Sequence, residues 1–147
     1  MILRIILLTA CIISSSCIAS SNEWKAYIQL IEQADNKTLH AFPGKIDSIG
    51  DTLDAVHTEE LTTALSMALI KDPISVINAT NSLDKSTDSL KQRFGTLMIC
   101  SIPLMTNATM TQVEEYFAKA EPELEKAGAA ASECLSNMRD TIEELRQ

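Results

Sequence analysis

The sequence predicts an all-α protein, a compact bundle of about five to seven helices held by one disulfide. Aromatic residues make up only 4% of the 147-residue chain, whereas β-strands are enriched in aromatic and β-branched residues. Apolar residues recur at steps of three and four along most of the chain, which is the period of an amphipathic helix. Two cysteines, Cys100 and Cys134, fall within these apolar patterns. Together these features favour packed helices over sheets.

The first 19 residues have the pattern of a secretory signal peptide. Arg4 precedes a short apolar run at residues 5–13, and small polar residues follow from 14 to 21. That order of charge, apolar run and small residues is typical of an exported precursor. The apolar run is shorter than the roughly 20 residues that span a bilayer. We therefore expect a signal peptide at 1–19 and a single helical domain at 20–147.

Two ways of processing this leader stay open. Cleavage after Ala19 would release a periplasmic or secreted protein. Alternatively, the sequence SSSC, which ends at Cys17, would be a lipobox, and Cys17 would carry the lipid of an outer-membrane lipoprotein. Ser14 stands where such motifs usually have leucine. Cys17 is the candidate lipidation residue, and a lipid there is the only membrane attachment that the sequence predicts.

Helical spacing defines the first three elements. Apolar residues between Trp24 and Ile31 predict a first helix, and the Pro43-Gly44 pair is expected to break the chain after it. A second apolar pattern begins at Ile46 and predicts another helix. Thr58 is expected to cap a third helix, because a threonine oxygen can accept a free N–H group of the first turn.

The middle of the chain predicts a helix restart followed by a polar break. Asp72 is placed to cap a helix whose first residue is Pro73, where the missing N–H of proline is tolerated. Residues 78–89 are rich in Ser, Thr and Asp and predict a loop or an exposed turn. Another apolar pattern leads from Leu90 into Cys100, and Pro103 is expected to end that helix.

The last part of the chain has the most regular helical pattern. Thr111 and Glu114 fit a capping box, in which each side chain accepts from the other residue's backbone N–H. Pro122 is expected either to kink this helix or to begin a new one. Apolar residues then advance at steps of three and four from Leu124 to Leu145, with charged residues on the other side. The chain is thus predicted to end in a long amphipathic helix.

The charge balance limits the classes of partner. The whole chain has 12 basic and 20 acidic residues and a net charge of −8. The leader contains one basic residue, Arg4, and no acidic one, so its removal leaves 11 against 20, or −9. Such a surface repels phosphate backbones, and we expect no nucleic-acid partner. It suits a basic protein partner, although acidity also serves solubility alone.

Without the leader, Cys100 and Cys134 are the only cysteines of the folded domain. Outside the cytoplasm two such residues tend to oxidise, and both lie on or near an apolar helix face. A nucleophilic cysteine would need a base, and only His40 and His57 are present in the chain. A zinc site would need two further ligands. We therefore predict a Cys100–Cys134 disulfide.

No motif of the chain indicates catalysis. The sequence HTEE, from His57 to Glu60, places a histidine beside two carboxylates but lacks metal-ligand spacing, and an exposed helix cap explains it. Asp84 and Asp88 are four residues apart, and a solvated charged face explains them. There is no glycine-rich phosphate loop and no serine-nucleophile elbow. We predict no catalytic residue, no metal site, no cofactor and no enzymatic activity.

Three Asn-x-Thr triplets begin at Asn36, Asn78 and Asn107. In a eukaryotic secreted protein they would be glycosylation acceptors on surface loops, whereas in a bacterium they would have little meaning. A secreted eukaryotic glycoprotein therefore stays open as an alternative.

Three short sequences carry a resemblance to a known class of proteins. ALSMALIKDPISVI (Ala64–Ile77), ICSIP (Ile99–Pro103) and ECLSNM (Glu133–Met138) resemble a pattern in small exported bacterial helical proteins. That pattern has an Asn-Pro or Asp-Pro helix restart, a Cys-Ser-x-Pro element and a late Cys-Leu. Some proteins of this type are periplasmic immunity proteins, which neutralise toxins. The resemblance covers roughly the C-terminal two-thirds and implies a shared fold more than a shared activity.

These observations lead to one expected function and one further alternative. We expect a small exported, non-catalytic binding protein of the bacterial envelope, immunity- or inhibitor-like, whose acidic surface meets a basic toxin or envelope protein. The alternative is a lipid-anchored envelope scaffold protein tethered through Cys17. The expected location is the periplasm, or the outer membrane if Cys17 is acylated.

Overall fold

The structure, a computed structural model, describes residues 21–101 and 108–147, and in these ranges it is all-α with no strand. Seven α-helices have six residues or more, and α5 is a single turn; two 3₁₀ segments lie at Asn81–Lys85 and Gly128–Ala131. The predicted all-α bundle with one disulfide is confirmed. The α-helices are α1 (Ser21–Glu32), α2 (Asn36–Ile49), α3 (Ala55–Lys71), α4 (Pro73–Thr80), α5 (Ser89–Gln92), α6 (Thr96–Ser101), α7 (Met110–Ala127) and α8 (Ser132–Leu145).

Helix α3 lies at the centre of the bundle. It packs on α1, α4, α6 and α7, and five of its apolar residues are completely buried: Leu61, Ala64, Leu65, Ala68 and Leu69. The phenol of Tyr116 on α7 donates a hydrogen bond of 2.8 Å to the Ser66 carbonyl of α3. The remaining helices surround α3 because its apolar residues cover more than one face.

The predicted disulfide between Cys100 and Cys134 is confirmed. It joins α6 to α8 across 34 residues of sequence, and the two Cα atoms are 5.1 Å apart. Both cysteines are buried, which fits their predicted places within apolar helix patterns. A crosslink of this span removes many conformations from the unfolded chain and so stabilises the folded one.

The predicted break at Pro43-Gly44 is wrong. Helix α2 continues through Pro43 from Asn36 to Ile49. A proline inside a helix costs about 3 kcal/mol. Leu39, Phe42 and Ile46 lie on both sides of it and are almost completely buried, and burial of each stabilises by roughly 1.5–3 kcal/mol. The buried face therefore outweighs the local helix breaker.

Two predicted helix caps lie close to the true ones but are wrong. Helix α3 begins three residues before Thr58, and the side chain of Asp54 accepts the hydrogen bond from the His57 N–H. The capping box of α7 consists of Thr109 and Gln112, two residues before the predicted pair. In both regions several residues can cap, and packing of the helix selects which one does.

Pro73 and Pro122 occupy different positions, a helix start and a helix interior. Pro73 is the first residue of α4, and Asp72 caps it through the Ser75 N–H at 3.0 Å, as predicted. Pro122 lies inside α7, which runs unbroken from Met110 to Ala127. The polar stretch 78–89 is not a continuous loop, because α4 extends to Thr80 and a 3₁₀ turn follows it.

Several predictions fall outside the described residues. These are the signal peptide at 1–19, the lipidation candidate Cys17, the helix end at Pro103 and the triplet residue Asn107. Within the described ranges, none of the helices is both long enough and apolar enough to cross a membrane.

Removal of the disulfide is expected to destabilise the protein strongly. For a closed loop of about 35 residues, the Cys100→Ala/Cys134→Ala variant should lose about 4 kcal/mol of unfolding free energy, since its unfolded chain is no longer constrained. Urea unfolding monitored by circular dichroism measures this loss. Dithiothreitol should shift the wild type towards the variant and leave the variant unchanged. Two freely alkylated thiols in the native protein would contradict the crosslink.

Ala34, between α1 and α2, is expected to gain stability when replaced by glycine. Its φ of 56° is left-handed, and the Ala34 and Asp35 N–H groups donate to Ile31 and Leu30 carbonyls, which is a helix end that favours glycine. Ala34→Gly should therefore raise the unfolding free energy by about 0.5–1 kcal/mol in thermal or urea unfolding. The control is Ala26→Gly in exposed helix α1, which should lower it by a similar amount. A loss at both positions would contradict the argument.

Candidate functional site

Helices α1 and α3 leave an open groove of about 540 Å³ between them. The α1 side contributes Trp24 and Ile28, and the α3 side contributes Val56. Val56 is 63% exposed, the largest exposed fraction among the large apolar side chains of the described residues. The groove residues of each helix recur at steps of three and four, so that each helix presents one side to it. The groove therefore combines an apolar floor with polar residues on both helices.

Trp24 is held in a fixed orientation at one end of the groove. Its indole Nε1 donates a hydrogen bond of 2.6 Å to Oε2 of Glu60 on α3. The ring of His57 meets the indole edge-to-face at a centroid distance of 5.0 Å, and Tyr27 lies at 5.9 Å. A short hydrogen bond to a carboxylate together with two aromatic neighbours defines where this ring lies.

The N-terminal turn of α3 fixes His57. Asp54 accepts a hydrogen bond of 2.9 Å from the His57 backbone N–H, and the His57 Nδ1 lies 2.7 Å from the same carboxylate oxygen. These contacts lower the pKa of Asp54, first through the backbone hydrogen bond and then through the histidine side chain. The prediction of an exposed cap at His57–Glu60 is wrong, because Asp54 caps the helix and His57 is half-buried inside its first turn. It also missed that His57 and Glu60 contact Trp24.

The carboxylates of the groove have no cationic partner within the described residues. Glu32, Glu59 and Glu60 line it together with Lys25, and none of the four belongs to an ion pair there. Three carboxylates against one ammonium leave the groove negatively charged.

The surface formed by α7 and α8 is also acidic, but three of its carboxylates pair with its own arginines. Arg139 contacts Glu121 and Glu125, and Arg146 forms a two-pronged pair with Glu114. These pairs hold the two helices together at a surface where water and salt screen them. Within the described residues both surfaces keep carboxylates outside any ion pair, and the groove differs by joining such carboxylates to an apolar floor.

A second cavity, of about 270 Å³, lies beside the disulfide, with Asp84, Glu133 and Cys134 in its wall. The Asp84 carboxylate accepts from the Leu97 N–H at 3.2 Å, and a Cβ on Gly95 would overlap it. Burial, with a smaller contribution from Glu133, raises the pKa of Asp84. Asp88 caps α5 through the Leu90 N–H. The two aspartates have separate structural roles rather than a shared solvated face.

A third, polar cavity of about 350 Å³ lies between α2 and α4 and contains Asn36, His40 and Asn78. The expected surface loops for the Asn-x-Thr triplets are wrong here, since Asn36 and Asn78 both lie in helices, although both are exposed. Thr80, the third residue of one triplet, is completely buried and lies 2.7 Å from the Thr96 hydroxyl.

The predicted residues do not converge on a single centre. Cys100 and Cys134 bond to each other, His40 lies in the polar cavity and His57 contacts Trp24. Among residues 21–101 and 108–147, no group of three or more His, Cys, Asp or Glu side chains could hold a metal ion. Comparison with protein-family models, curated proteins and solved structures finds no match to this chain. The function is therefore argued from the geometry of the groove.

The raised pKa of Asp84 gives a testable pH dependence. A carboxyl with a higher pKa in the folded state contributes stability below its unfolded value of about 3.8, and that contribution is lost as pH rises through the folded value. The stability of the wild type relative to Asp84→Asn should therefore be greatest in acid and should fall as pH rises. Urea unfolding of both proteins between pH ~3 and ~7 measures the difference. A difference that stays constant with pH would contradict this assignment.

Proposed function

We propose that this protein is a non-catalytic binding module of the bacterial envelope, immunity- or inhibitor-like, and that its α1–α3 groove binds a basic segment of a protein partner. The observation that carries the proposal is the combination of an apolar floor, half-buried Trp24 and exposed Val56, with three carboxylates that lack a cationic partner in the described part of the chain. Recognition surfaces typically combine an aromatic anchor with a polar rim.

Apolar and electrostatic features of the groove support different parts of this function. Covering Trp24, Ile28 and Val56 removes apolar surface from water, which supplies affinity. The carboxylates favour a cationic partner and disfavour anionic ones, which supplies selectivity and a fast encounter. The net charge of −8 extends this attraction beyond the groove itself. A protein that covers a basic surface of a toxin would neutralise it without any chemical step.

The disulfide supports the envelope location. Crosslinks between buried cysteines form and persist in oxidising compartments, including the bacterial periplasm, and are rare in the cytosol. The Cys100–Cys134 bond therefore agrees with export by the signal-like leader. The resemblance to small exported helical proteins points to the same compartment and to neutralisation of a partner.

Charge reversal in the groove is expected to abolish partner capture. Glu32→Lys/Glu59→Lys changes two groove carboxylates and leaves the Trp24–Glu60 hydrogen bond in place. The control, Asp140→Lys/Glu144→Lys, makes the same change in net charge on α8. Wild type and control should retain a basic protein from envelope extract at ~50 mM salt and release it at ~500 mM, because salt screens the attraction. The groove variant should retain at least tenfold less.

The outcomes separate binding from neutralisation. Failure to capture a partner at low salt, or equal loss in the α8 control, would overturn the proposed groove function. If the captured protein is toxic when expressed in the periplasm, coexpression of the wild type should restore growth, and the groove variant should not. If a partner is captured but growth is not restored, the protein would still be a binding protein, and the immunity role would be overturned.

A further inference from the structure

We propose that the groove recognises its partner through an arginine side chain carried on a short amphipathic helix, an inference that rests on the proposed function and names its ligand. The proposal follows from two features that the sequence pattern did not reveal. One is the shape of the groove, whose walls are one side of α1 and one side of α3. The other is the pairing of a fixed indole with carboxylates.

The groove walls have the spacing that accommodates a third helix. Trp24, Ile28 and Glu32 follow one another at steps of four along α1, and Val56, Glu59 and Thr63 follow at steps of three and four along α3. From Trp24 to Glu32 the wall is about 12 Å long, or two helical turns. An amphipathic helix places its own apolar residues at the same spacing, so that it can lie in such a groove with its apolar side inward.

The Trp24 end of the groove matches a guanidinium group better than an ammonium group. The indole N–H donates to Oε2 of Glu60, so Oε1 of the same carboxylate can accept a hydrogen bond from a ligand. Glu59, the adjacent residue, lines the same groove and supplies a second carboxylate. A guanidinium is planar: it can stack on an indole face and donate in its own plane to carboxylate oxygens. A lysine ammonium is a compact and strongly hydrated charge that gains less from stacking.

Lys25 is the one cation among the residues that line the groove. It is exposed and has no ion pair within the described residues. Its ammonium repels an incoming guanidinium and reduces the negative potential of the three carboxylates. Replacement of Lys25 should therefore tighten the binding of a cationic ligand without loss of a structural contact, which gives a gain-of-affinity test.

Trp24 also provides a built-in reporter, because it is the only tryptophan of the chain. Its fluorescence can be titrated with three synthetic helical peptides of identical alanine-rich sequence, with leucines at steps of three and four and either Arg, Lys or Gln at the anchor positions. The arginine peptide should change the Trp24 emission and bind about tenfold more tightly than the lysine peptide. The glutamine peptide should bind more weakly than both.

Three single variants test the contacts. Glu60→Gln keeps an oxygen for the Trp24 N–H but removes the charge, and it should weaken the arginine peptide about tenfold. Lys25→Gln should strengthen it a few-fold. Glu144→Gln on α8 changes the net charge as Glu60→Gln does and should leave the peptide affinity unchanged.

The results distinguish this inference from the proposed function. Equal affinities for the arginine and lysine peptides, or no response of Trp24 to the arginine peptide up to ~5 mM, would overturn the arginine anchor. Groove-dependent capture from extract would then still support a basic partner. Loss of both the peptide response and the groove-dependent capture would overturn the two together. The inference is supported if the arginine peptide binds more tightly than the lysine peptide, if Glu60→Gln removes this difference, and if Lys25→Gln increases the affinity for the arginine peptide.

Discussion

The burial of helix α3 on more than one side is the constraint on which the rest of the structure depends. Its fully buried residues, from Leu61 to Leu69, contact helices that come from both halves of the chain. A helix this apolar cannot remain in water, so α1, α4, α6 and α7 must cover it. The Tyr116–Ser66 hydrogen bond then satisfies a phenol that the same packing buries.

The groove is the place where this coverage is incomplete. Helix α1 packs on α3, but the N-terminal turns of α3 extend beyond the fully buried stretch, and there Val56 remains 63% exposed. The Trp24–Glu60 and Trp24–His57 contacts join α1 to α3 beside this gap. A frame that includes a crosslink between α6 and α8 thus carries an open surface between α1 and α3. Because this frame holds the groove side chains in place, binding a partner would cost little conformational entropy.

Charge is distributed unevenly over this frame, and the distribution has a physical origin. The basic residues of α7 and α8 lie at helix positions where facing carboxylates can reach them, so Arg139 and Arg146 are engaged within the protein. Glu32 and Glu59 face a gap instead of a neighbouring helix. The carboxylates repel one another, and a cation on another molecule that enters the groove would lower their electrostatic energy. The negative charge of the groove is therefore uncompensated because, among the described residues, no neighbouring helix forms an ion pair with the carboxylates of Glu32 and Glu59.

The sequence by itself determined the helical class, the Cys100–Cys134 bond and the Asp72-Pro73 restart, because these depend on composition and on spacing along one chain segment. Tertiary structure decided the rest. Local signals predicted a break at Pro43, but burial of Phe42 and its neighbours outweighed it. Trp24 was predicted as part of an apolar helix face, and HTEE as a cap. Only packing of α1 on α3 brought Trp24, His57 and Glu60 together. Trp24 lies 36 residues before Glu60 in sequence, and a contact over that separation leaves no periodic signal in either segment.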